Sequence, residues 1–312
     1  MGIARAMAKM LMQEGKRRPY RGKILTAGRQ DIYATEQQIR NWAADIGFKL
    51  SDGVKIEPSE NEFFKDKKYI SDESFFKLLG FNEVKSIDYS DYQKCSFVYD
   101  LNNPIPKELH NEFDLIYDGG TLEHIFNVPM VLKNLYSATK NGGRVIHSSP
   151  TSNYVDHGYY MFSPIFFTDY YCANKWDIIN IYLFKQETKN LYNLFQERKW
   201  SIYAYEPGSI DTWIFGGYSG LYGTYCVLEK NEKTICEAIP YQGYYRDKIE
   251  IDIKNNGYDL NQSILNNKTF IQKIAFNKKY LGAKFRNKLR PLYLSFANLL
   301  PLKFHLKRLY KY

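Results

Sequence analysis

Between Lys23 and Pro150 the chain alternates short apolar runs with segments of helical spacing, and the runs end in a glycine, an aspartate or a polar turn. "KILTAGRQDIY" holds the run Ile24 to Ala27, broken by Gly28, and "TEQQIRNWAADIGFKL" follows with Ile39, Trp42, Ala43 and Ile46 on one helical face. "SFFKLLGF" reads as a short helix closed by Gly80 and "EVKSIDYS" as a strand ending at Asp88. "CSFVYDLNNPIP" reads as a strand ending at Asp100, because Pro104 and Pro106 forbid its continuation. "FDLIYDGGTLEHIFN" begins as a buried strand and runs into Asp118 and paired glycines. "VPMVLKNLYSATKNGG" then places Val131, Leu132, Leu135 and Ala138 on one face before a Gly142-Gly143 stop, and "RVIHSSP" is the next strand. Such alternation predicts an α/β architecture, a mostly parallel sheet with helices on both faces.

The chain has 312 residues, more than the usual single domain, with 44% apolar and 25% charged residues, values of an ordinary globular protein. Residues 51–75, with "EPSENEFFKDKK", read as a polar insertion. After residue 150 the rhythm changes: an aromatic segment is expected to turn helical at about Pro164, and "WDIINIYLF", "WSIYAYEPG" and "GTYCVLEK" read as further strands. The expected organisation is an N-terminal basic helix at 1–22, a main domain at 23–230 and a C-terminal extension at 231–312.

Charge is unevenly placed. From Lys268 onward there are 12 Lys or Arg and no acid, so the preceding 267 residues hold 31 bases against 34 acids and carry a net charge of −3. The excess of +9 therefore belongs to the tail and says nothing about the main domain's substrate. Leu289, Leu292, Phe296, Leu299 and Leu300 share a face flanked by bases, so the tail is suited equally to an anionic membrane interface or to packing on a protein surface. Cys95, Cys172, Cys226 and Cys236 form no CxxC pair, and no run reaches membrane-span length or forms an export signal, so a cytoplasmic protein with reduced thiols, peripheral to the membrane at most, is expected.

In an open parallel sheet, ligands bind beyond the carboxyl ends of the strands, where strand order reverses. The ends here carry Gly28, Asp88, Asp100, Asp118 with Gly119, and the segment from Ser148. Asp88 can accept from two vicinal ribose hydroxyls, Asp100 from an exocyclic amine, and Gly28 permits close backbone approach. A nucleoside-like cofactor fits this inventory.

Over residues 22–230 the chain resembles the class I S-adenosylmethionine-dependent methyltransferases, of the bacterial type 11-like group. The likeness is carried by Phe113, Asp114, Ile116, Leu122, Glu123, His124 and Ile125 in "FDLIYDGGTLEHI", by "LKNLYSATKNGGRVIHSSP" after it, and by "HGYYMFSPIFF", which is similar to methyltransferases found with sugar and surface-polysaccharide enzymes. The resemblance implies a Rossmann-like, doubly wound sheet of seven strands and S-adenosyl-L-methionine as cofactor. It also implies that Asp100 and Leu101 hold the adenine and that Asp118 and Gly119 line the methionine portion through backbone groups. The first glycine motif departs from the family: "LTAGRQD" has Thr26 in place of the acid and Gln30 in place of the second glycine, so Gln30 or Arg29 is expected to reach the methionine carboxylate by side chain.

Methyl transfer to a hydroxyl needs a proton acceptor, and imidazole suits neutral pH. His157, in the loop after the fifth strand, and His124 are the catalytic candidates; His110 and His305 read as surface residues and His147 as a core imidazole. Asp156, His157 and His124 show no metal-ligand spacing, so no metal is expected. The acceptor implied is a small molecule or glycan, in surface polysaccharide biosynthesis. Nucleic acid is disfavoured because the turn after the fourth strand lacks the Asn/Asp-Pro-Pro-aromatic motif. The alternative is a catalytically inactive methyltransferase-like scaffold, docked to a membrane complex.

Overall fold

The computed structural model describes residues 2–187, 199–207, 220–242 and 308–311. In chain order these form β1 (Gly2–Ile3), α1 (Arg5–Arg17), β2 (Lys23–Ala27), β3 (Asp31–Ile32), α2 (Glu36–Ile46), α3 (Asp72–Leu79), β4 (Glu83–Asp88) and β5 (Phe97–Val98). There follow β6 (Phe113–Asp118), α4 (Val128–Ala138), β7 (Thr139–Ser152), α5 (Pro164–Ala173), β8 (Asp177–Gln186), β9 (Trp200–Ala204), β10 (Leu221–Glu229) and β11 (Arg308–Lys311).

One nine-stranded sheet organises the described residues, in the order β11-β9-β8-β10-β7-β6-β2-β4-β5. The strands β5, β4, β2, β6 and β7 are parallel neighbours, whereas β10 runs antiparallel to both β7 and β8. Chain order proceeds from β2 outward through β4 to β5, then returns to the other side of β2 for β6 and β7. The reversal falls between β2 and β6, and the sheet is doubly wound as expected. The eight strands read from the sequence are all present, one more than the seven the resemblance implies, and β11 widens the sheet further.

Alternate residues of the central strands supply two cores, one on each face. Ile24, Leu115, Tyr117 and Ile146 pack with α1, α2 and α3, while Leu25, Ile116 and Val145 pack with α4 and α5. Both faces are covered, which is why β2 and β6 read as continuous apolar runs rather than as an alternation. The first core includes Met7, Met10, Leu11 and Met12 of α1, and Glu14 of the same helix reaches Arg144 of β7 at 2.9 Å with both side chains buried.

Two boundaries differ from expectation. The helix α4 passes directly into β7 at Thr139, with no stop at the glycine pair; Gly142 and Gly143 instead bond to Lys230 beyond β10, and a register shift between Phe113 and Leu115 absorbs the extra residues. β5 keeps only Phe97 and Val98, because the Asp100 carboxylate draws Asn102 and Asn103 into a turn that ends the ladder. The amphipathic stretch Leu289 to Leu300 lies outside the described residues, as does His305, but residues 308–311 pair antiparallel with β9 at the sheet edge. Among the described residues no helix is long and apolar enough to cross a membrane.

Candidate active site at the strand ends

The carboxyl ends of β5, β4, β2 and β6 are tied to one another by two backbone bonds and one side-chain bond. Gly28 N–H donates to Ile87 O at 2.7 Å, Tyr99 N–H to Asp88 O at 2.7 Å, and the Thr121 hydroxyl to Ala27 O at 2.5 Å. Gly28 adopts φ +73, a left-handed conformation that a side chain would strain, and this lets the chain turn sharply off β2.

Beside this turn opens a cleft of about 610 Å³, lined by Arg29, Gln30, Ser59, Asn61, Asp72 and Tyr92 among others. The volume lies within the ordinary range of small-molecule sites. The polar insertion at 51–75 forms its outer wall, and α3 offers its N-terminus through Asp72. Arg29 donates to Asp72 at 2.8 Å and to Lys94 O at 3.1 Å, so its guanidinium braces the cleft wall. Burial pushes the Asp72 carboxyl up, against the pull of Arg29.

Gln30 links this cleft to the end of β6. Its Nε2 donates back to Gly28 O at 3.2 Å, its Oε1 is buried with no hydrogen-bond partner among the described residues, and a Cβ on Gly119 would come within 2.5 Å of that oxygen. Gly119 is therefore required by the Gln30 amide, which lies over it. An orphaned buried acceptor is costly unless something donates to it.

Asp88 ends β4 next to this wall. Asp100 spends both carboxylate oxygens inside its own turn, on Asn102 and Asn103, and Leu101 is buried in the second core with its carbonyl accepting from Asn134. Gly28, Gln30 and Gly119 thus come together, and Asp88 adjoins them; Asp100 and Leu101 sit one strand further out.

Asp118 is 1% exposed, and its side chain faces the interior. One oxygen accepts from Thr121 N at 2.8 Å and Leu122 N at 3.2 Å, and the other lies 2.6 Å from His147 Nδ1. The imidazole's other nitrogen lies 2.6 Å from the Tyr171 hydroxyl. A carboxylate only accepts, so Nδ1 carries a proton and a neutral ring is completed by donation from Tyr171. His147 is the core imidazole its strand position predicts, and only the Asp118 backbone remains to face a ligand.

The turn Leu122–His124 follows, and the loop after β7 folds onto it. Tyr159 and Tyr160 N–H both donate to Glu123 O, at 2.8 and 3.3 Å. His157 Nε2 comes to 3.7 Å from Glu123 Oε1, and the His124 and His157 rings are 5.1 Å apart. His124 and His157 are exposed while Glu123 is 1% exposed. Burial, with the Asp118 charge beside it, pushes Glu123 up to about 8; burial, then His157, pushes His124 down. His110 is exposed, as expected.

Glu123 faces Asp118, His124 and His157, and its raised value has a consequence for stability. The folded protein holds this proton more tightly than the unfolded chain, so the stabilisation is full below about pH 4 and is lost as pH rises through about 8. In chelator-treated buffer, Glu123→Gln is expected to flatten the fall of the unfolding midpoint between pH 5 and 9, by a few degrees at the alkaline end. Parallel pH curves for the two proteins would show that Glu123 does not carry the effect.

Asp72 and Tyr92 were not legible as site residues, and neither was the pairing of Asp118 with His147 and Tyr171. The only trace of Asp72 is the helix-start pattern "SDES", and nothing local marks Tyr171 as a partner of His147.

The strand order, with its reversal at β2 and β6 and an antiparallel strand inserted beside β7, defines the class I S-adenosylmethionine-dependent methyltransferase fold. No family model and no curated protein matches the chain. Among solved structures it is similar to the 1,6-didemethyltoxoflavin-N1-methyltransferase of Burkholderia thailandensis, which has bound 1,6-didemethyltoxoflavin and S-adenosylhomocysteine (11% identity, 73% of this chain and 78% of that one, TM-score 0.36). It is also similar to a SAM-dependent methyltransferase from Archaeoglobus fulgidus (11% identity, 73% and 95%, TM-score 0.36) and to one from Thermotoga maritima (15% identity, 73% and 91%, TM-score 0.34). Likeness at this level decides nothing about activity, and the fold is read from the strand order itself.

Proposed function

We propose that the protein is an S-adenosyl-L-methionine-dependent methyltransferase acting on a small-molecule acceptor of sugar type. The observation that carries this reading is the cleft beside the turn that leaves β2, with the buried Gln30 Oε1, unpartnered among the described residues, at its wall. The residues suit the cofactor: an ammonium group would supply the donor that this oxygen lacks, Asp88 would accept from ribose hydroxyls, and the strand ends beyond it would take the adenine. When bound, the cofactor supplies a methyl group on a good sulfonium leaving group.

The chain's own residues then have two tasks, alignment and proton removal. Gln30 and the Arg29–Asp72 brace hold the cleft wall at a fixed distance from the end of β6. On the acceptor side, His157 is the proton acceptor, with the Glu123 carboxyl 3.7 Å from its Nε2. Phe126 and Tyr159, 72% and 70% exposed with ring centroids 5.9 Å apart, offer apolar faces of the kind on which sugar rings stack.

Calorimetry with S-adenosylhomocysteine tests the reading. Micromolar binding is expected, weakened about tenfold by Gln30→Ala, the loss of one charge-assisted hydrogen bond. An absence of heat at millimolar ligand would remove the enzymatic reading and leave a scaffold of methyltransferase shape.

A further inference from the structure

We propose that Glu123, His124 and His157 form a binding site for a divalent transition-metal ion where the loop after β7 folds onto the turn after β6. Each residue offers one ligand atom, and the three atoms lie within 4.8 Å of one another. The approach is built by the backbone, because the loop after β7 is fastened to Glu123 O by two N–H groups. Gly158 permits the contact, since a Cβ there would meet Glu123 O at 2.9 Å and His124 Nδ1 at 3.2 Å.

The second, independent observation is the carboxylate. Glu123 is 1% exposed and its Oε2 has no hydrogen-bond partner among the described residues. A buried carboxyl oxygen without a partner is expensive, and a cation held by two imidazoles and the Glu123 carboxyl, which gives up its proton on binding, supplies the missing partner. Ligand atoms on one tetrahedral ion stand about 3.3 Å apart, given bonds of about 2.0–2.1 Å. The site therefore closes by up to about 1.5 Å on loading, a movement open to two exposed imidazoles on rotatable side chains.

The donor set selects the ion. Two imidazoles and one carboxylate suit Zn²⁺, Co²⁺, Mn²⁺ or Fe²⁺, whereas Mg²⁺ and Ca²⁺ favour oxygen ligands. Three protein ligands leave coordination positions open, as in sites that take a water or a substrate oxygen rather than in structural sites. In the loaded protein the two imidazoles are ligands, whereas in the metal-free protein His157 is free to accept a proton; binding of the ion does not depend on the methyl-transfer reading.

The test uses the full chain without an affinity tag, stripped with chelator and titrated with Co²⁺ while visible d–d absorption is followed. One equivalent is expected to bind, with bands that Zn²⁺ then displaces. His124→Ala and His157→Ala are each expected to weaken binding at least about 10–100-fold, while His110→Ala leaves it unchanged. Both ligand histidines are exposed, and far-UV circular dichroism checks that the variants fold; His157→Asn replaces any that do not. Binding of S-adenosylhomocysteine to the stripped protein, measured in parallel, keeps the cofactor question separate. Absence of the bands in the parent protein, or bands that survive in the His124→Ala/His157→Ala double variant, overturns the proposal.

Discussion

Asp118→Ala is expected to destabilise the protein by about 3–5 kcal/mol, the cost of removing one partner from a buried charged network. The carboxylate serves three donors at once: the N–H groups of Thr121 and Leu122 and the imidazole of His147. Alanine removes this acceptor from all three, and His147 is fully buried, so no water readily replaces the oxygen it loses. The unfolding midpoint should fall by about 10 °C, given about 2–4 °C per kcal/mol in a domain of this size. Asp118→Asn keeps one acceptor for the turn and is expected to recover part of the loss. Thermal and urea unfolding of the three proteins decides the matter; an alanine variant within about 1 kcal/mol of the parent would show that this network does not hold the end of β6.

The other large effect concerns chemistry. His157→Ala is expected to lower methyl transfer by about 10²–10⁴-fold, the usual contribution of a positioned general base. The assay is transfer of labelled methyl from S-adenosylmethionine to a mixture of free sugars and nucleotide sugars. Affinity for S-adenosylhomocysteine should be unchanged, because His157 stands on the loop after β7 and does not line the cleft beside Gln30. A variant that keeps full turnover sinks the assignment, and one that loses cofactor affinity in step with rate points to a disturbed fold instead.

Much of the fold was legible in local pattern. The helix α2 was read from Ile39, Trp42, Ala43 and Ile46 on one face, and the structure adds a reciprocal cap between Thr35 and Gln38 and a left-handed end at Gly47. The strands β2, β4 and β6 were placed by apolar runs that stop at Gly28, Asp88 and Asp118. The entry into β7 was misread because Gly142 and Gly143 look like a helix stop. Their carbonyl and N–H bond to Lys230, 87 positions after Gly143, and no local pattern carries that pairing.

The candidate site divides along the same line. Gln30 stood out because it replaces a glycine, but that its amide lies over Gly119 follows only from the parallel pairing of β2 with β6. The cation cluster gave no spacing signal, since Glu123 and His124 stand on the turn after β6 and His157 stands beyond β7. Metal-ligand patterns are visible in sequence only when the ligands share one helix or one loop.

Sequence alone determined which segments are strands and helices, and that a parallel sheet presents polar groups at its carboxyl edge, because period and capping act over a few neighbouring residues. Only the tertiary structure decided what those groups do. It turned Asp118 inward to His147 and Tyr171, left Gln30 Oε1 without a donor, and brought His157 to Glu123 across 34 positions of chain. Strand order sets which ends are adjacent, and burial sets which polar atoms must find partners among those neighbours; both are properties of the assembled sheet.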